Sequence, residues 1–571
     1  MSFGAALAYR AEEMPDEAAF MLAEHDQDDR IMTFLELHRR AQDIAALLLE
    51  KMPVAGRALL LFPPGLDYVC ALYGCFQAKI IAVSAPPPQP NRLHRTLPRL
   101  EAIATDAEIS AVLTADFIRE AAASFFKEGP LTEVPWIATD TAPEHGEVEV
   151  ARPDLSEMAF LQYTSGSTRD PRGVMLSHAS LMGNSNLITD ALGHVPNGLR
   201  KGLSWLPPYH DMGLIAGVLQ PVHAGGLCIM MSPLSVIKKP GRWLEAMSKY
   251  RVTTSGGPNF AYDLCVRRVD QETCERIDLS DWEVAFNGAE PIRAETIEAF
   301  CEKFGPCGFR RDTFQTGYGL AEATLMVTTG AKEKVPTLLE ADARALEGGV
   351  VRPSTGDGPT KTLVSSGTTP EGSKLVIVDR DEGRLCEDGE VGEIWFSGPD
   401  VALGYWRDPD ETAEVFRARH ADDPDAEYLR TGDLGAVIDD ELYVVGRIKE
   451  LIIINGRNIH PHDIEFSAEE VSPLLRGHCS AAFEQEVDGE IRIAIALEVN
   501  ATDSEDDYEQ VMAAVRRRVA EDLDLPLYWI GLCKPGTVPK TTSGKIQRRL
   551  FKAMLADGDV ELLAENPPRE S

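Results

Sequence analysis

The chain has 571 residues, 44% of them hydrophobic and 26% charged, the balance of a folded soluble protein that is too long for one ordinary domain core. Its formal net charge of −35 repels nucleic acid and anionic membrane at long range, and no apolar run reaches the ~20 residues that cross a bilayer. Ten scattered cysteines without a Cys-x-x-Cys pair argue against zinc or disulfide frameworks and for reduced thiols in a cytoplasmic protein.

Met1–Arg10 has no basic stretch followed by an apolar one, so no secretory signal is expected. Arg57–Phe62 (RALLLF) is predicted as a buried strand, Tyr68–Gln77 as a helix and Lys79–Ser84 as the next strand. Met158–Tyr163 (MAFLQY) is predicted as a strand that enters a glycine–serine loop, followed by a helix over Ser177–Leu192. Further strands are expected at Leu227–Met231, Val252–Ser255 and Trp282–Phe286, separated by helical patterns such as Arg242–Tyr250 and Arg293–Phe304. Strands alternating with helices imply α/β layers with largely parallel sheets.

Beyond about residue 370 the spacing shortens. Lys374–Asp379, Glu393–Ser397 and Leu442–Val445 are close-set strands of a smaller β-rich unit. From Leu451 a module of about 120 residues begins. It is predicted to hold a strand at Leu451–Ile454, a helix at His462–Val471, a hairpin around Asp488-Gly489 and a helix at Asp506–Leu523. Ala501–Asp507 is acidic and is expected to be a solvated turn.

Thr164-Ser165-Gly166-Ser167-Thr168, followed by Pro171-Arg172-Gly173, places five small hydroxyl or glycine residues after a strand. Such a loop lets backbone N–H groups and hydroxyls close around a polyphosphate. The Gly-x-x-x-x-Gly-Lys pattern of a Walker loop is absent.

Six further motifs follow in order: Pro207–Leu214 (PPYHDMGL), Asn287–Pro291 (NGAEP), Tyr318–Thr324 (YGLAEAT), Thr431–Leu434 (TGDL), Gly446–Gly456 (GRIKELIIING) and Pro539–Lys545 (PKTTSGK). With the Thr164–Gly173 loop they resemble the adenylate-forming superfamily of acyl-CoA synthetases, adenylation domains and luciferases over nearly the whole chain. The resemblance implies two α/β sheet subdomains plus a small β-rich subdomain in residues 1–446. A hinge at 447–449 and a mobile α+β C-terminal domain at 450–571 complete the expected architecture.

It also implies ATP as substrate and Mg²⁺ as cofactor. Gly288, Ala289 and Glu290 are small or strand-ending residues against which a planar base can lie, and Tyr318 beside Gly319 offers an aromatic face to adenine. Glu322 resembles the Mg²⁺-holding carboxylate. Asp433 matches the family's ribose contact, where one carboxylate accepts two hydroxyls, and Arg447 its partner. His210, with Asp211 and Met212, is expected at the substrate carboxylate and the acyl channel. Gly257 and Phe260 are expected along that channel, the glycine leaving space for a chain. Lys545 is expected to be the catalytic cation that bridges the carboxylate and the α-phosphate. Lys449 falls on the hinge.

Within the superfamily, Ala85–Pro90, Ser255–Tyr262 (SGGPNFAY) and Leu451–Glu465 (LIIINGRNIHPHDIE) resemble fatty acyl-AMP ligases. A further mark is the extra segment Gly330–Lys361. In that family such an insertion restrains the C-terminal part and directs the acyl group to the phosphopantetheine arm of an acyl carrier protein. The implied partners are a fatty acid and such a carrier; an acyl-CoA synthetase is the alternative. Arg172 stands where lysine is commoner in the phosphate loop and keeps the charge. From Glu450 onward the chain has 13 basic and 23 acidic residues, so an acidic carrier needs a local basic patch, with Arg516–Arg518 and Lys545–Lys552 as candidates.

Overall fold

The computed structural model describes residues 1–571 except 24–27, 89–92, 127, 147, 165–170, 194–199, 455–456, 488–489, 501–504, 542–543 and 568–571. Uninterrupted apolar runs form the inner strands of two sheets. Arg57–Leu61 is fully buried after its first residue, and it pairs in parallel with Ile81–Ser84 and Ala111–Thr114. Met158–Thr164 extends this six-stranded sheet in parallel. The sheet is closed by Arg172–Ser177, antiparallel to Met158–Thr164. A second, antiparallel strand therefore stands between Met158–Thr164 and the helix. That helix, His178–Ala191, is capped by Ser177, whose hydroxyl accepts the Ser180 N–H.

The second sheet has eight strands. Its parallel centre is Val284–Asn287 between Thr254–Gly257 and Phe314–Gly319. Ligand sites in open parallel sheets lie beyond the carboxyl ends of the strands, and here those ends carry Gly288, Ala289, Tyr318 and Gly319. The observed Thr254–Gly257 strand starts later than Val252–Ser255 and absorbs both glycines. Lys79 is not in a strand; it caps the Leu66–Ala78 helix in the left-handed region at φ 56°.

A third, five-stranded antiparallel sheet contains Lys374–Val378, Gly392–Ser397 and Asp423–Ile438, the last paired with Glu441–Arg447. The C-terminal unit has its own four-stranded sheet, from Leu475–Val487 to Leu562–Asn566. Its own apolar core includes Ile464, Ile495, Val515 and Ile530. Strands Leu475–Val487 and Glu490–Val499 form the expected hairpin, whose turn lies outside the described residues. Within Ala501–Asp507, residues 505–507 are the first turn of helix Glu505–Leu523 rather than a turn between elements.

Gly330–Lys361 is an ordered substructure. Leu338–Asp342 pairs antiparallel with Thr360–Val364, and helix Ala343–Glu347 is capped by Asp342. Leu346 and Val351 pack with Leu434, Tyr443 and Val445, and Ile448 and Leu451 pack against the same cluster. This segment therefore stands on the strand that leads to the C-terminal unit.

Candidate active site

Strand Val284–Asn287 ends at Gly288, where a Cβ would lie 2.7 Å from the Gly317 carbonyl oxygen. Gly319 is tighter still, with a Cβ position 1.8 Å from the Leu325 carbonyl oxygen. Close backbone approach thus demands glycine at both places. Ala289 sits at φ 68°, a left-handed conformation that costs a residue with a side chain about 1–2 kcal/mol. Glu290 Oε1 accepts the Phe260 N–H at 2.6 Å, fastening this strand end to the Phe260 helix.

The pairing of Asp423–Ile438 with Glu441–Arg447 sets Asp433 opposite Arg447. Arg447 Nε donates to Asp433 Oδ1 at 2.8 Å, and the Tyr318 hydroxyl donates to Oδ2 at 2.7 Å. Asp433 is 4% exposed. Its charge raises the Arg447 guanidinium above its ordinary value.

Glu322 lies in the single turn Ala321–Ala323. Its Oε1 accepts the Tyr405 hydroxyl at 2.9 Å. Burial pushes the Glu322 carboxyl up, with the Tyr405 hydrogen bond and Arg447 opposing. His210 precedes helix Asp211–Leu214, and its Nδ1 lies 2.5 Å from Asp211 Oδ1. Burial would raise the Asp211 carboxyl, but His210, and more weakly Lys545, hold it below its usual range.

Lys545 reaches this group from the C-terminal unit. The Lys545 N–H donates to Thr541 Oγ1 at 3.0 Å, and the Thr541 N–H donates back to the Lys545 carbonyl at 2.8 Å. Gly544 rests on Phe260, with its Cβ position 3.1 Å from the ring. The ammonium feels Arg447, Asp211, Asp433 and Glu290; burial first and then Arg447 lower its pKa from the ordinary 10.5. One cavity of ≈ 2500 Å³ is lined by His210, Met212, Phe260, Glu322, Asp433 and Lys545. It has an apolar stretch past Ile188, Leu203 and Leu227.

Gly257 is placed differently from its expected role. A Cβ there would lie 2.6 Å from the Trp205 ring, and one on Gly256 would lie 2.6 Å from the Phe286 ring. The room these glycines leave is filled by aromatic side chains, so Gly257 stands behind Trp205 and does not open space for a chain. Ser165, Gly166, Ser167 and Thr168 lie outside the described residues. Thr164 lines the cavity. Arg172 is ion-paired with Glu411, and its guanidinium lies 5.4 Å from the Tyr405 ring centroid. Of the basic candidates, Arg516 donates to the Leu527 carbonyl and Arg518 pairs with Asp522 at 2.8 Å.

Contacts between the two parts of the chain were missed by sequence reasoning. Arg457 makes two bonds to Glu347, both 2.8 Å. Lys361 Nζ bonds both Asp463 oxygens at 2.7 Å. Both pairs come from Gly330–Lys361. His478–Asp263 at 3.0 Å, and Arg293 stacked 3.8 Å from the Phe466 ring centroid, add contacts from the main body. Lys449 is exposed, in the short turn Ile448–Glu450, and its carbonyl accepts Arg549 at 2.6 Å. The ring of His460 lies directly on Gly446, 2.2 Å from its Cβ position.

The family model described as AMP-binding enzyme matches residues 7–406. A medium-chain-fatty-acid–acyl-carrier-protein ligase of Moorena producens is 40% identical over 97% of this chain and 95% of its own length. A long-chain-fatty-acid–AMP ligase of Mycolicibacterium smegmatis is 34% identical over 94% of this chain and 91% of its own. The crystal structure of a fatty acyl-adenylate ligase from L. pneumophila, in complex with acyl adenylate and pyrophosphate, superposes with a TM-score of 0.76. It is 36% identical, with 99% of this chain and 97% of that one covered.

Proposed function

The chain belongs to the AMP-binding enzyme family, as a fatty acyl-AMP ligase, and from that membership we propose how its residues divide the work. The enzyme condenses a fatty acid with ATP to give acyl-AMP and pyrophosphate. A carboxylate oxygen attacks the α-phosphorus, the new P–O bond forms, and the bond to the bridging oxygen of pyrophosphate breaks. The observation that carries the residue assignment is the convergence of Lys545 with Asp211, Asp433, Glu290 and Arg447 at one cavity.

In this reading Tyr318, Gly288, Ala289 and Gly319 frame adenine, while Asp433 and Arg447 hold the ribose. Lys545 lies between the attacking carboxylate and the α-phosphate, where its charge offsets the negative charge that the reaction concentrates. His210 and Met212 border the carboxylate, Phe260 the acyl chain. The Thr164–Thr168 loop takes the outer phosphates. The residues suit Mg²⁺: Glu322 is a half-buried carboxylate at the cavity, its pKa raised by desolvation. Among the described residues no group of three or more metal-ligating side chains occurs, which fits an ion held by one carboxylate plus phosphate oxygens. Bound there, Mg²⁺ would neutralise those oxygens.

Two predictions arise here. Asp433→Ala strips the acceptor from both Tyr318 and Arg447, so KM for ATP rises by roughly 10–100-fold; steady-state kinetics check it, and an unchanged KM contradicts the ribose assignment. Lys545 must be protonated to act, and its pKa is lowered. The charged form therefore exists below that pKa and is lost as pH rises through it. The rate of adenylation falls on the alkaline side below the ordinary lysine value of 10.5. A pH profile of kcat/KM, which reports the free enzyme, that stays flat to that value contradicts the role.

For the second half-reaction, the proposal is transfer to the thiol of an acyl carrier protein, with 1–446 as the large domain, 447–449 as hinge and 450–571 as the moving domain. The two ion pairs from Gly330–Lys361 support a restraint on that motion. A cytoplasmic setting belongs to the same reading, supported by ten free cysteines. No helix among the described residues is long and apolar enough to cross a membrane. The deciding experiment offers the enzyme coenzyme A or a holo carrier protein in the presence of fatty acid and ATP. Thioester forms on the carrier; efficient transfer to free coenzyme A would favour an acyl-CoA synthetase.

A further inference from the structure

The phosphate end of the cavity has a cation that the assigned residues do not include. Helix Leu93–Asp106 turns Thr96, Arg99, Leu100 and Ile103 toward the cavity, an i, i+3, i+4, i+7 face. Leu100 and Ile103 are anchored in the apolar cluster beneath the six-stranded sheet. Anchoring that face carries Arg99 to the end of strand Met158–Thr164, where its Nη2 donates to the Thr164 carbonyl at 3.2 Å. This uses one of the five N–H donors of a guanidinium.

Three other arginines that line the cavity are occupied. Arg172 is paired with Glu411 and stacked on Tyr405, Arg447 is paired with Asp433, and Arg200 with Glu283. Arg99 has no carboxylate partner among the described residues. Burial lowers its pKa with no opposing charge to raise it. A partly buried, unpaired guanidinium is unfavourable unless an anion completes it. Its planar fork suits phosphate oxygens, which it can take two at a time.

We propose that Arg99 binds the outer phosphates of ATP and the departing pyrophosphate, supplying the charge that Arg172 gives to Glu411. Lys545 then serves the α-phosphate and Arg99 the leaving group. The inference rests on the reading of this cavity as an ATP site.

The test is calorimetric titration of the full-length enzyme, Arg99→Ala and Arg99→Lys with three probes. These are ATP, pyrophosphate and a non-hydrolysable acyl-sulfamoyl adenosine, which lacks the outer phosphates. Arg99→Ala is expected to weaken ATP and pyrophosphate by about tenfold or more, and to hold the acyl-adenosine analogue within about twofold. Arg99→Lys recovers part of the loss. An equal loss for all three probes would show a structural role and overturn the proposal, as would unchanged affinity for ATP and pyrophosphate. A wild-type enzyme that binds neither ATP nor the analogue would remove the ATP-site reading itself, and this inference with it.

Discussion

Lys545→Ala lowers the rate of acyl-adenylate formation by about 10²–10³-fold while ATP binds within about twofold of wild type. The asymmetry follows from position. Asp433 is held by Tyr318 of the large domain and by Arg447 at the start of the hinge, and neither bond depends on the Lys545 loop. What the substitution removes is the cation that faces Asp211, Asp433 and Glu290 together. Two anions, carboxylate and α-phosphate, then meet without a counter-charge. Rapid-quench measurement of acyl-AMP, paired with equilibrium ATP binding, separates the two effects. A variant that adenylates at the wild-type rate, or one that loses both properties equally, contradicts the assigned role.

The second large effect concerns the acceptor. Joint replacement Glu347→Ala and Lys361→Ala removes the two ion pairs that, among the described residues, Gly330–Lys361 makes with the C-terminal domain. Each pair is partly exposed, so each contributes up to ~1 kcal/mol, and together they shift the domain equilibrium by up to about thirtyfold. Thioester formation on coenzyme A should rise by that factor, with acyl-AMP formation unchanged. Point substitutions isolate the restraint. Removing residues 335–352 would also take out Leu346 and Val351 and uncover Leu434, Tyr443 and Val445. If coenzyme A activity stays at the wild-type level in the double variant, the ion pairs do not hold the domain.

The parts of the fold that were legible in the sequence are those where one physical rule dominates. Arg57–Leu61 and Leu227–Met230 are short uninterrupted apolar runs, and such runs become buried parallel strands. Strand Arg172–Ser177 was hidden because it opens on the Pro-Arg-Gly of the phosphate-loop motif and is partnered across a hairpin. The long strand Asp423–Ile438 was hidden because Asp425, Gly432, Asp433 and Gly435 interrupt its apolar pattern. Those interruptions belong to the site, since Asp433 is a strand residue paired with Arg447.

The site itself divides the same way. Motif residues such as Glu322, Asp433 and Lys545 are recognisable one by one. Their neighbours are not, because the fold alone makes them neighbours. Glu347 and Arg457 are 110 positions apart, Lys361 and Asp463 are 102 apart, and Arg172 and Glu411 are 239 apart. No local pattern announces such pairs. Gly257 shows the opposite failure: a glycine pair in a channel motif suggests open space, yet Trp205 and Phe286 fill it. Arg99 left only a faint trace, a basic residue beside Leu100 on the apolar face of a helix.

The central claim is that this cavity makes acyl-adenylate from a fatty acid and ATP. Fatty-acid-dependent exchange of labelled pyrophosphate into ATP tests it most directly, run across acids of graded chain length. The account predicts exchange that requires the acid, peaks at a preferred length and disappears in Lys545→Ala. Absence of exchange with every acid, or exchange that persists in Lys545→Ala, would contradict it.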